Sequence, residues 1–149
     1  MQTPSSSRRR CAAGGLAAIL AAALLLACQK KSPEEDLLHK VEPVGSWLAS
    51  LQMAGEKWAA NSLPSSFLRA SLSAARKEFE KADEESAKSR ARPEVTVPLR
   101  RLLAEAKAAG AGLERGVEAG DRAAVARQAR QLAGLRARFE TLQNAGKGP

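Results

Sequence analysis

From residue 33 onward the apolar side chains recur at steps of three and four and do not alternate. A first run comprises Leu37, Val41, Val44, Leu48, Leu51, Gly55 and Trp58. A second comprises Leu68, Leu72, Ala75, Phe79 and Ala82. A third comprises Leu99, Leu103, Ala106, Gly110, Leu113 and Val117. The last places Val125, Leu132 and Phe139 seven apart, with Leu135 and Leu142 between them. Such steps put each set on one face of an α-helix. Alanine is abundant and β-branched residues are scarce, so no strand is expected. Each stripe must be buried against another helix. The expected fold is all-α, an antiparallel up-down four-helix bundle. Because the segments are unequal, a three-helix bundle with a detached N-terminal helix is the alternative.

Punctuation sets the boundaries. Ser32-Pro33-Glu34-Glu35 reads as a helix start, with Ser32 as cap, Pro33 in the first turn and Glu35 at the reciprocal capping-box position. Pro43 interrupts the first stripe. It predicts either a kink or a short helix followed by a second that begins at Pro43. Asn61-Ser62-Leu63-Pro64 predicts a tight turn. After Ala82 the stripe fades into Asp83-Glu84-Glu85-Ser86, an end expected to be solvated or frayed. Arg92-Pro93 through Val97-Pro98 predicts a linker, the longest break in the domain. Gly110 and Gly112 weaken the third helix by roughly 1 kcal/mol each relative to alanine and would let a neighbour approach closely. Gly120-Asp121 pairs a C-terminal glycine with an N-cap aspartate, so the last two helices should be antiparallel neighbours. The helical domain is expected to span 33–143, with a flexible tail at 144–149.

Candidate chemistry is thin. A di-iron bundle takes a Glu from each of two helices and a Glu-x-x-His from each of the others. This chain offers one Asp36-x-x-His39 and no second histidine. His39 lies about 200° around the helix from Leu37, away from the stripe, and should be solvated. Met53 and His39 share the first segment, so they cannot face each other across a haem. No base is paired with a nucleophile, and no glycine-rich phosphate loop follows a strand. No cofactor, no metal and no catalytic residue are therefore expected, and the chain reads as a non-enzyme.

Two features could instead support contact with a partner. Trp47 and Trp58 are eleven residues apart, three helical turns, and project to the same side with Leu51 and Ala54. Aromatics at this spacing commonly pack into a core. The sharper possibility puts Trp47 at the stripe's edge as an anchor for a partner or a membrane surface. The last helix is the most basic, with Arg122, Arg127, Arg130, Arg136 and Arg138 against Asp121 and Glu140. Arg127 and Arg130 can share an outer face. They are candidates for an acidic partner or anionic glycan, against the plainer reading of a solvated face.

The N-terminus supplies an address. Arg8-Arg9-Arg10 precede residues 11–27, which carry no charge and are almost all Ala, Leu, Gly and Ile. That run falls short of the about 20 apolar residues a membrane span needs. A basic start, a short apolar stretch and a small residue before the cut describe a cleaved signal. The run ends in Leu25-Leu26-Ala27-Cys28, which resembles the lipobox of bacterial lipoproteins. The resemblance covers residues 1–28 only. It implies cleavage between Ala27 and Cys28, lipidation of Cys28, and membrane attachment through N-terminal acyl chains. It makes 1–27 the signal peptide and 28–32 a short tether. Gln29, where Asp would favour the inner membrane, implies an outer-membrane anchor facing the periplasm.

Cleavage would leave 122 of the 149 residues, with 21 Lys and Arg against 16 Asp and Glu, a net charge near +5. Cys11 would leave with the signal and Cys28 would be acylated. The mature domain would then hold no thiol and no disulfide. In that compartment nucleic acid is not an expected partner. Another envelope protein, cell-wall polymer or lipopolysaccharide is.

Overall fold

The structure is a computed structural model and describes residues 31–146. The expected signal peptide, Cys28, the first residues of the expected tether and the final three residues lie outside the described residues. Five helices follow in order: α1 (Pro33–Lys40), α2 (Pro43–Ala59), α3 (Ser65–Lys88), α4 (Pro93–Glu118) and α5 (Arg122–Ala145). The last four form the bundle. Each is antiparallel to the next, α5 closes back onto α2, and diagonal helices scarcely touch. The chain is thus an all-α four-helix bundle. The three-helix alternative does not form, because α2 is a full member and only α1 stands apart from the four.

The α1 start follows its sequence signature. Ser32 Oγ accepts from the Glu35 backbone N–H at 3.1 Å, and the Ser32 N–H donates to the Glu35 carboxylate at 3.1 Å. Of the two expectations at Pro43, the second helix is realised. Proline has no N–H to continue the ladder. Around it the chain changes to three-residue bonds, Val44 N–H to Val41 C=O at 3.0 Å and Gly45 N–H to Glu42 C=O at 3.2 Å. α1 therefore swings over the end of the bundle, burying Leu37, Leu38 and Val41. There its Glu34 carboxylate accepts from the backbone and the guanidinium of Arg92, at 3.2 and 2.9 Å. Lys40 reaches Glu85 of α3 at 3.4 Å.

Two tight turns close the opposite, far end. Asn61 takes a left-handed φ of 61°, which asparagine tolerates better than most residues. Gly120 takes φ 66°, and Asp121 then caps α5 by accepting the Ala124 N–H at 2.8 Å. The core between the two ends is aliphatic, with Leu48, Leu68, Leu99, Leu103, Leu113 and Leu132 fully buried. Each contributes about 1.5–3 kcal/mol by leaving water. α2 packs tightly on its neighbours at Gly55. A Cβ there would lie 3.2 Å from both Ala129 Cβ and Leu113 Cδ2. Gly112 allows a similar approach by Gln128 of α5, whereas at Gly110 a Cβ would meet Leu72 at an ordinary 3.7 Å.

Three boundaries differ from the sequence reading. The expected linker through Pro98 is helix: α4 begins at Pro93 and contains Pro98. Pro93 fits the first helical position. Pro98 costs one bond near the helix start, and burial of Leu99, Leu102 and Leu103 just beyond it outweighs that cost. The break shrinks to residues 89–92. The expected frayed end after Ala82 is also helix, to Lys88. Asp83 there holds Lys107 at 2.8 Å and Arg100 at 3.8 Å, both from α4. α5 runs to Ala145, two residues past the expected domain end.

Ser86 occupies a core position on α3 at 4% exposure, and its Oγ has no hydrogen-bond partner. A buried orphan hydroxyl costs roughly 1–3 kcal/mol. Ser86→Ala is therefore expected to raise stability by about 1 kcal/mol in urea unfolding. A fall would mean that the hydroxyl is satisfied after all.

Candidate interaction surface

Trp58 is buried, and its indole N–H donates across the α2–α3 turn to Ser65 Oγ at 2.9 Å. That bond turns this side of α2 toward α3. Trp47, three turns earlier on the same side, is half-buried and packed against the core. It serves as core edge. Arg127 and Arg130 are exposed on the outer side of α5. The side of α2 that meets α5 carries Gly45 and Gly55, not Trp47. The structure therefore does not bring Trp47 together with Arg127 and Arg130. The large apolar side chains left exposed are Met53, Phe67 and Val97.

The five arginines of α5 stand in three settings. Arg136 pairs with Glu140 at 2.8 Å, and Arg138 grips Glu105 of α4 with two nitrogens. The Arg138 guanidinium holds the Glu105 carboxyl below the usual carboxylate range, with a smaller contribution from Arg101. The same contact raises the Arg138 pKa. Arg122 donates to the Asn61 side chain at 2.9 Å. Among the described residues Arg127 and Arg130 meet no carboxylate.

The same contrast runs along the whole bundle. Toward the α1 end more of the cations are matched: Lys40 with Asp36 and Glu85, Lys88 with Glu84, Arg92 with Glu34, Arg101 with Glu105, while Lys31, Lys81 and Arg90 have no ion-pair partner among the described residues. Asp36, then Glu85, raises the Lys40 pKa. Hydrogen bonds from its own backbone and from Arg92 lower that of Glu34. At the far end most carboxylates are already engaged. Asp121 caps α5, Glu114 accepts Arg76 at 2.7 Å, and Glu56 accepts the Gln52 amide at 3.0 Å. Lys57 of α2, Arg69 of α3, Arg115 of α4 and Arg127 and Arg130 of α5 are exposed there without an ion-pair partner among the described residues.

Sequence reasoning found only the α5 members of this set. The signal for Lys57 and Arg69 was present: neither has a carboxylate three or four residues away in either direction. What sequence could not supply was the antiparallel alignment that brings four separate helix ends to one level.

His39 is 65% exposed on α1, with Nδ1 3.4 Å from Glu42. Among the described residues no group of three or more His, Cys, Asp or Glu is placed to hold a metal ion, and no helix is long and apolar enough to cross a membrane. The arrangement gathers charge at a surface. Comparison with protein-family models, with curated proteins and with solved structures finds no match to this chain.

Proposed function

We propose that the chain is a membrane-anchored lipoprotein facing the periplasm, whose helical bundle is a non-catalytic binding or accessory module for another envelope component. The supporting observation is the polarity of the bundle. The described chain enters at the α1 end, where most of the cations are paired with carboxylates. At the far end, cations from all four bundle helices are left without carboxylates. A 26-residue α4 sets those two ends about 39 Å apart. An anchor at Cys28 would hold the paired end near the lipid and direct the unpaired end away from it. Gln29 favours the outer membrane as the site of that anchor.

A structural role in envelope maintenance, through contact with cell wall or lipopolysaccharide, is the second reading. The unpaired arginines favour it, because such polymers carry closely spaced negative charge. A photocrosslinker at position 63 or 131 in intact cells tests the module reading. Discrete adducts are expected from these far-end positions. Absence of any adduct there, with adducts forming only near residues 35 and 90, would overturn it.

A further inference from the structure

We infer that the far end of the bundle is a binding site for a phosphate-rich anionic polymer of the envelope. This rests on the reading of an exported, membrane-held module and gives its partner a chemistry. Lys57, Arg69, Arg115, Arg127 and Arg130 are exposed, come from all four bundle helices, and surround the end closed by the 60–64 and 119–121 turns. Glu118 is the one carboxylate at this end that the described contacts leave free; Glu56, Glu114 and Asp121 are engaged.

The distribution of these charges selects the kind of partner. A standard protein interface has an apolar, well-packed centre with a polar rim. Here the cations come from all four helices, and the large apolar side chains exposed near them are two, Met53 and Phe67, on separate helices. A flexible polymer with charge on every repeat can follow such a spread; a rigid protein face cannot touch all sides of it. Four of the five cations are arginine, whose planar fork matches phosphate oxygens in pairs. Binding would draw its free energy from counterion release and so would weaken steeply with salt.

The test uses the full chain in a nonionic detergent and medium-length inorganic polyphosphate as the probe. Binding is expected to fall about tenfold or more between 50 and 200 mM salt. The triple substitution Arg115→Gln, Arg127→Gln, Arg130→Gln should weaken it at least about tenfold and reduce the salt slope by about 2. Its melting temperature should match that of the parent, since all three side chains are exposed. Lys81→Gln with Arg90→Gln, exposed cations toward the α1 end, should leave affinity unchanged. Glu118→Gln should tighten binding severalfold. No binding to polyphosphate, equal binding to polyglutamate or to anionic phospholipid vesicles, or equal weakening by the control pair would each overturn the inference. A stoichiometric protein crosslinked at position 131, with no polyphosphate binding, overturns the polymer while leaving the module reading in place.

Discussion

Phe139→Ala is expected to destabilise the bundle by about 3–5 kcal/mol. The ring is 1% exposed and is among the largest fully buried side chains. It lies on α5 at the point where α2 begins. A Cβ built on Gly45 would sit 3.1 Å from its Cδ1 and Cε1. Truncation removes the transfer free energy of the ring and opens a cavity that its surroundings can only partly fill. Typical domains hold about 5–15 kcal/mol in total, so the loss is a large fraction. A thermal melt should show a fall on the order of 15 °C. Met53→Ala, at a side chain 58% exposed on the outside of α2, should move it by a degree or two.

The Gly45 contact adds a second arm. Alanine is favoured over glycine in a helix, by about 1 kcal/mol in the interior and less in the first turn, where Gly45 lies. In the parent, Gly45→Ala presses on the ring and loses that advantage. In the Phe139→Ala background the space is open, and the same substitution should stabilise. A double-mutant cycle therefore should show coupling of about 0.5–3 kcal/mol. Additive effects, or a melting shift of only a few degrees from Phe139→Ala, would mean that α2 and α5 do not meet there.

The Phe139 contact also shows where sequence reading stops. Its seven-residue spacing from Leu132 and Val125 marked it as core from sequence alone, because helical periodicity is a local property. Its partner Gly45 could not be read, since nothing local to Pro43-Val44-Gly45 names the helix that approaches it. The same division explains the boundary errors. Pro98 looked like a helix breaker because its local cost is visible in sequence, while the buried leucines that outweigh it act through tertiary packing. Asp83 and Glu85 looked like a solvated end because their partners, Lys107 and Lys40, lie on other helices. For the candidate surface, Arg127 and Arg130 were visible as basic residues of one helix. Their distinction from Arg136 and Arg138 was half visible. Glu140 stands four residues from Arg136, but Glu105 is 33 positions from Arg138.

Cys28→Ser has the largest expected effect on where the protein acts. If Leu25-Leu26-Ala27-Cys28 directs lipidation, metabolic labelling with palmitate should mark the parent chain, and the label should vanish in Cys28→Ser. The assignment would be unambiguous within this chain. The only other cysteine, Cys11, belongs to the segment that cleavage would remove. Label persisting in the variant, or never entering the parent, would sink the lipoprotein reading. The helical domain should be unaffected, since its described contacts begin beyond Cys28 and involve no thiol. Melting temperature should therefore be unchanged while the protein shifts from the membrane to the soluble fraction. The consequence for function is geometric. Two acyl chains give stable attachment where one gives only marginal binding. If Cys28 is anchored in this way, four tether residues, at no more than about 3.6 Å each, would keep α1 close to the bilayer. The far end, about 39 Å along the bundle, would then sample a thin shell of the envelope, and a ligand of the unpaired arginines would have to reach into that shell. Releasing the anchor leaves those arginines chemically intact but dilutes them through the whole compartment. A phenotype of Cys28→Ser that matches that of the Arg115, Arg127 and Arg130 triple substitution would tie the lipid and the basic end to one task.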